Sequence, residues 1–283
     1  MQRLLTAAIL APPFLASMLL GPTWVFMSMV TAGVLLAAWE YTRIALPEEP
    51  RHPAAATLPA KERPGRGLLG MLPILVIPFA WGLREAMTEG RGVAALAAVV
   101  AIALPVAVLA ARTSLEHGFR TVGAFAFGLP YFALPVLAAW ELRESDPWLV
   151  FLAFAIAWLG DTGAYYVGRP FGRHKMAPRV SPKKSWEGAA AALAVSLAVA
   201  LLWCHFRLGE IRPVLLGLAV VTSVAAQIGD LAESMFKRGS GVKDSGTLLP
   251  GHGGLWDRVD GVLFALPVLW LAVLWLDPAL LSP

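Results

Sequence analysis

Charge is scarce in this chain: only 15% of its 283 residues are Asp, Glu, Lys or Arg, against roughly 25% in an ordinary soluble domain. With 58% hydrophobic side chains and a mean hydropathy of +0.66, that shortage excludes a soluble protein of this length. Cysteine is nearly absent. The single Cys204 lies inside an apolar run, so no internal disulfide can form, and it reads as a small buried hydrophobe. There is no dense Lys/Arg tract, which argues against a nucleic-acid partner; the formal charge of +4 is mild and reads as a topology signal. No Gly-x4-Gly-Lys-Ser/Thr loop occurs, which disfavours an ATPase. Internal repeats and low-complexity tracts are also missing.

What the sequence has instead is long charge-free runs. Leu4 to Trp39 carries no charge over 36 residues and breaks only at Gly21-Pro22. A membrane-spanning helix needs roughly 20 apolar residues, so this stretch predicts a helical hairpin, 4–20 and 23–42. It is too long for the apolar core of a signal peptide, and no small-residue cleavage site precedes a polar start. Further spans are expected at 67–83, 92–111, 121–140, 147–167, 188–206, 213–230 and 259–276. The expected fold is all-α: a polytopic integral membrane protein of about nine transmembrane helices forming one membrane domain, about five of them within residues 1–150. Residues 46–67, rich in Pro, Ala and charge, predict a flexible linker. Prolines at 73, 78, 105, 130, 135 and 267 should kink helices that neighbours then support.

Short cytoplasmic loops collect Lys and Arg. With nine spans and the N-terminus inside, the inner segments hold eighteen basic residues and the outer loops only Arg84, Arg91, Arg143, Arg207 and Arg212. That bias places the polar loops after the sixth and eighth spans on the cytoplasmic side.

Those two loops hold the unusual chemistry and mark 151–283 as the catalytic region. Gly229 to Asp260 packs five carboxylates and four basic residues between two apolar spans. If the eighth helix continues to Arg238, Asp230, Ser234 and Lys237 share one face, with Glu233 beside them. Asp257 and Asp260, at i and i+3, open the last helix and point the same way. Aspartates from one helix facing aspartates of the next are how oxygen-rich sites hold Mg²⁺, and charge at such membrane depth is a functional signal. Lys237 and Arg238 could equally anchor the membrane interface. The glycines between them allow close backbone approach to an anion, and His252 sits there either as a proton donor or as a loop-stabilising hydrogen-bonding group. Asp161 lies inside an apolar pattern, on one face with Tyr165 and Gly168. The segment 181–187, Ser-Pro-Lys-Lys-Ser-Trp-Glu, ends in a Ser185/Glu187 helix start and sets Lys183 and Lys184 beside an aromatic, which suits a phosphate-bearing ligand. Arg169 to Lys175 is read as a cluster that obeys the positive-inside rule.

These residues carry a resemblance. Ser234-x-apolar-Lys237-Arg238, then Lys243-Asp244-x-Gly246, then Leu249-Pro250-x-His252-Gly253-Gly254-apolar-x-Asp257-Arg258-apolar-Asp260 resembles the signature of the phosphatidate cytidylyltransferases, the CDP-diacylglycerol synthases. Residues 181–188 and Asp161 to Gly168 are similar to the family as well. The resemblance implies transfer of CMP from CTP to phosphatidic acid, giving CDP-diacylglycerol and pyrophosphate in phospholipid biosynthesis. It also implies Mg²⁺ with room for a second cation, a homodimer, a place in a bacterial inner membrane, and a polar cavity open to the cytoplasm and laterally to the bilayer. Asp230 and Asp257 would hold the metal and Asp260 would support it. Lys237, Arg238 and Lys243 would clamp phosphates, and His252 would donate to the leaving oxygen. Ser181, Lys183, Lys184, Ser234, Arg258 and Asp161 would bind substrate. Phosphatidate already bears a nucleophilic oxygen, so no Ser/His or Cys/His pair is required, and none is evident. Two alternatives stay open: another CTP-using membrane enzyme, such as a polyprenol kinase, and a transporter, which would spread its charges over many spans.

Overall fold

The computed structural model describes residues 2–45, 70–88, 100–107, 115–248 and 253–276. The linker expected at 46–67, most of the span expected at 92–111, and His252 lie outside these residues. Helices dominate: α1 Gln2–Leu19, α2 Thr23–Ala45, α3 Leu72–Thr88, α4 Leu115–Ser145, α5 Pro147–Phe171, α6 Trp186–Trp203, α7 Pro213–Gly239 and α8 Trp256–Leu274. Residues 100–107 are helical too. Among the described residues, five helices are long and apolar enough to cross a membrane: Thr23–Ala45, Phe119–Ser145, Pro147–Phe171, Trp186–Leu208 and Pro213–Gly239. α8 is uncharged from Gly261 onward but opens with Asp257, Arg258 and Asp260. Large apolar side chains such as Ile74, Trp81, Ile102 and Leu202 stand on the outer surface, where water would penalise them and lipid does not. The chain is a helical integral membrane protein.

Local signals explain several boundaries. Asp146 caps α5 by accepting from the Trp148 amide at 2.9 Å, and Pro147 fills the first helical position, where a missing N–H costs nothing. Ser185 caps α6 in the same way through the Gly188 amide. α6 ends in a π turn, Cys204–Leu208, which Gly209 terminates at a φ of 72°. Among the described residues the helices are interrupted by a β-hairpin, β1 Lys175–Ala177 against β2 Ser181–Ser185, antiparallel with Lys175 opposite Ser185.

Small residues set how closely the helices pack. A Cβ on Gly163 would lie 2.7 Å from Val195 Cγ2, and one on Gly188 would lie 3.0 Å from the Ala164 carbonyl oxygen and 3.3 Å from Gly168 Cα. In lipid, where apolar burial gives no driving force between helices, such close approach is what makes α5 and α6 associate. Ser196 of α6 then donates to Ser223 Oγ of α7 at 2.9 Å. Gly188→Val should force α5 and α6 apart at a cost of about 1–3 kcal/mol. A lower thermal midpoint in detergent is the expected reading; an unchanged one would show that the seam yields.

The polar groups fall at two ends of this bundle. At one end Arg84 pairs with Glu141 at 2.6 Å, Arg207 with Asp146 at 3.2 Å, and Arg143 donates to the Gly21 carbonyl at 2.7 Å. These contacts tie α3 to α4, α4 to the α1–α2 turn, and the α4–α5 turn to the end of α6. The hairpin and the α7–α8 connection lie at the other end.

Candidate functional site

α7 runs nine residues past the expected end of its span, to Gly239, so Asp230, Glu233 and Lys237 occupy its last turns. Two glycines let α8 approach. A Cβ on Gly229 would lie 2.7 Å from the Asp260 carbonyl oxygen, and one on Gly261 would lie 3.3 Å from the Ala226 carbonyl oxygen. With the two backbones this near, one carboxylate oxygen each from Asp230, Glu233 and Asp260 falls within 4.8 Å of the others. Lys184 Nζ stands 2.5 Å from Asp230 Oδ2. Glu233 is wholly buried; its Oε2 lies 2.5 Å from Lys237 Nζ, and beyond that ion pair no donor among the described residues reaches either oxygen. Three hard oxygen donors on two rigid helices, one with unused lone pairs in a buried place, are a donor set that fits a small divalent cation.

Asp257, expected beside Asp230 as a metal ligand, is placed differently. Its Oδ1 lies 2.5 Å from Lys237 Nζ, and its Oδ2 accepts from the amides of Gly254 at 2.9 Å and Ser245 at 3.1 Å. The i, i+3 spacing leaves Asp257 and Asp260 ~60° apart around the axis. Asp257 is in the first turn of α8, level with the loop, where amides and a lysine engage it; Asp260 is one turn deeper, facing α7. Lys237 therefore bridges Glu233 and Asp257.

Around these groups opens a cavity of about 830 Å³, within the range of roughly 300–1,000 Å³ typical of ligand sites. Of the residues expected in the site, Asp161, Lys183, Lys184, Asp230, Lys237, Asp257, Arg258 and Asp260 line it. Arg169 and Lys175, which the charge pattern left to topology, line it as well, as do Tyr165, Gln227 and Asp244. The hairpin explains this: it folds back over the end of α5 and carries Lys175 on one strand and Lys183 and Lys184 on the other. Its base is held tightly. A Cβ on Gly172 would overlap the Gly168 carbonyl and Ser185 Oγ, and His174 Nδ1 sits 2.7 Å from Glu187 Oε1. Arg238 donates to the Val180 and Val242 carbonyls at 3.4 and 3.1 Å, tying the hairpin turn to the loop after α7. Arg238, Ser181, Ser234 and Lys243 are outside the cavity lining. Among the described residues the site is thus a polar chamber with carboxylates at its α7–α8 floor and lysines and arginines on the hairpin side.

The model of the cytidylyltransferase family matches residues 1–276. The chain belongs to that family. Two curated relatives extend the similarity over nearly the whole length of both partners. The phosphatidate cytidylyltransferase of Pseudomonas aeruginosa is 37% identical over 97% of this chain and 96% of its own. That of Haemophilus influenzae is 32% identical over 94% and 96%. The phosphatidate cytidylyltransferase of Staphylococcus aureus strain COL is 40% identical, over 54% of this chain and 60% of its own.

For a cytidylyltransferase-family chain, the residues that sequence reasoning passed over are instructive. Glu233 was seen only as a neighbour of Asp230, yet it is the buried member of the carboxylate trio. Glu40, the first charge after the 36-residue apolar run, was not singled out. It is 1% exposed and accepts from Ser245 Oγ at 2.8 Å, at the edge of the loop that leads into α8.

Proposed function

We propose that this chain is a phosphatidate cytidylyltransferase, joining CMP from CTP to phosphatidate to give CDP-diacylglycerol and pyrophosphate. The observation that carries the reading is the end-to-end similarity to relatives of that name. The chamber, in which Asp230 and Asp260 of the carboxylate trio share one lining with the basic residues of the hairpin, supports it.

In this reading the phosphatidate oxygen attacks the α-phosphorus of CTP; a new P–O bond forms as the bond to the β-phosphate oxygen breaks, and pyrophosphate leaves. The attacking group arrives ionised, so the protein need not generate a nucleophile. Its work is positioning and charge. Asp230, Glu233 and Asp260 would hold Mg²⁺, which when bound supplies positive charge to the polyphosphate. Lys183, Lys184, Arg169, Lys175 and Arg258 face the chamber and would hold the phosphates of nucleotide and lipid, where fixed positive charge offsets what builds on the leaving group. Lys237 keeps Asp257 in place, and Asp257 fixes the loop at Ser245 and Gly254. Asp161, one helix away, lines the same wall. We read the chain as nine spans with the chamber open to the cytoplasm, where CTP is found, and as a homodimer.

Purified protein given CTP labelled at the α- or γ-phosphate, phosphatidic acid and Mg²⁺, beside a polyprenol acceptor, tests this. α-Label is expected in a CDP-lipid with γ-label released as pyrophosphate, only with phosphatidate. Transfer of γ-label to the polyprenol would overturn the reading in favour of a kinase.

A further inference from the structure

Glu40 ends the apolar run of α2, far from the catalytic segment in sequence, and its carboxylate is enclosed. Oε2 accepts from Ser245 Oγ at 2.8 Å and from the Trp256 amide at 2.9 Å, and Oε1 accepts from the Leu255 amide at 3.1 Å. The loop has shed side chains to make room for it. A Cβ on Gly246 would lie 2.7 Å from Oε1, and one on Gly254 would overlap both the carboxylate and Ser245 Oγ. α8 has no side-chain cap of its own, since Leu255 precedes it; the carboxylate of Glu40 takes that office from another helix. A negative group at the first amides of a helix is favoured by the hydrogen bonds and by the dipole.

The same short stretch is gripped from the other side. Asp257 accepts from the amides of Ser245 and Gly254, so Ser245 and the start of α8 are held between Glu40 behind and Asp257 on the chamber wall. The Trp256 indole adds a third tie, donating to Tyr131 Oη at 3.0 Å. Where α8 begins, and how it is rotated, decides where Asp257 and Asp260 stand relative to Asp230 and Glu233. Glu40 itself does not line the chamber.

We infer that Glu40 is a positioning residue of the transfer reaction: by capping α8 from α2 it sets Asp260 against Asp230 and Glu233 without reaching substrate. The inference rests on the cytidylyltransferase reading above. Partners hydrogen-bonded to metal ligands typically contribute 10–100-fold to metal affinity or activity, and Glu40 acts on Asp260 through the first turn of α8, which it caps. Glu40→Gln keeps the size of the side chain and one acceptor but sets an NH₂ against amide or hydroxyl donors. We expect kcat to fall about 10–100-fold, with the KM for phosphatidate within about twofold of the parent. Mn²⁺ binding to the purified protein without substrates, titrated by electron paramagnetic resonance, should weaken about tenfold.

Ser245→Ala removes one donor and leaves both flanking amides, so it covers the case in which Glu40→Gln does not fold; a fewfold loss in the same two quantities is expected. Unchanged kcat and Mn²⁺ affinity in whichever variant folds, at any thermal midpoint, would overturn the inference and leave Glu40 as a cap that serves stability alone. A parent protein that makes no CDP-lipid, while Mn²⁺ affinity still drops in the variant, would remove the proposed reaction and keep the positioning role.

Discussion

Asp260→Asn is expected to cut turnover by about 1,000-fold, the equivalent of about 4 kcal/mol of transition-state stabilisation, while the protein remains folded in detergent. Asn keeps the shape and one oxygen but removes the charge that lets three carboxylates hold a divalent cation. Asp230 stands 2.5 Å from Lys184 and Glu233 2.5 Å from Lys237, and Asp260 Oδ1 accepts from the Gly261 amide at 2.7 Å. The check is product formation across a Mg²⁺ series, alongside Mn²⁺ titration of the same preparation. Activity within tenfold of the parent would move the metal elsewhere in the chamber.

The second large effect is on stability. Lys237→Met should destabilise by about 3–5 kcal/mol, the cost of removing one partner from a buried ionic group. The Lys237 side chain is 10% exposed and bridges Glu233 at 0% and Asp257 at 7%; without its ammonium, two carboxylates face each other with no cation between them. The expected result is a sharply lower thermal midpoint or loss of extractable protein. The double variant Lys237→Met/Glu233→Gln removes one of the stranded charges and should recover part of the stability but none of the activity. A single variant as stable as the parent would show that another cation reaches the pair.

The helices were legible wherever an apolar run met a chemical stop. α2, α5, α6 and α7 start within two residues of expectation, because Gly21-Pro22, Asp146-Pro147, Ser185 and Pro213 are local signals that need no tertiary partner. α3 spans Leu72–Thr88 where 67–83 was expected. It continues past Arg84, which finds Glu141 on α4, a partner that no local pattern reveals. The hairpin was not legible at all: its strands are Lys-Met-Ala and Ser-Pro-Lys-Lys-Ser, with no alternation to betray a buried face.

Much of the site was readable for the same reason as the helices. Helical periodicity put Asp230 and Lys237 on one face of α7, and the intramembrane position of Asp161 flagged it. At Asp257 periodicity gives the side of the helix but not the partners, Lys237 and the amides of Ser245 and Gly254. It says nothing of Glu40, whose partners Ser245, Leu255 and Trp256 lie 205 to 216 positions away. A lone acid at the end of an apolar span looks like an interface residue until the segment it captures is seen.

That long reach has a consequence for how the protein comes into being. α2 leaves the ribosome more than 200 residues before α8, so Glu40 waits through the synthesis of everything between them without the amides it is shaped to receive. Every basic and acidic group of the chamber except those of α8 can be in the bilayer beforehand, and the chamber still lacks Asp257, Arg258 and Asp260. On the reading proposed here, a nascent chain stalled before α8 is silent towards CTP and lipid, and activity awaits the moment when the beginning of α8 closes onto the end of α2.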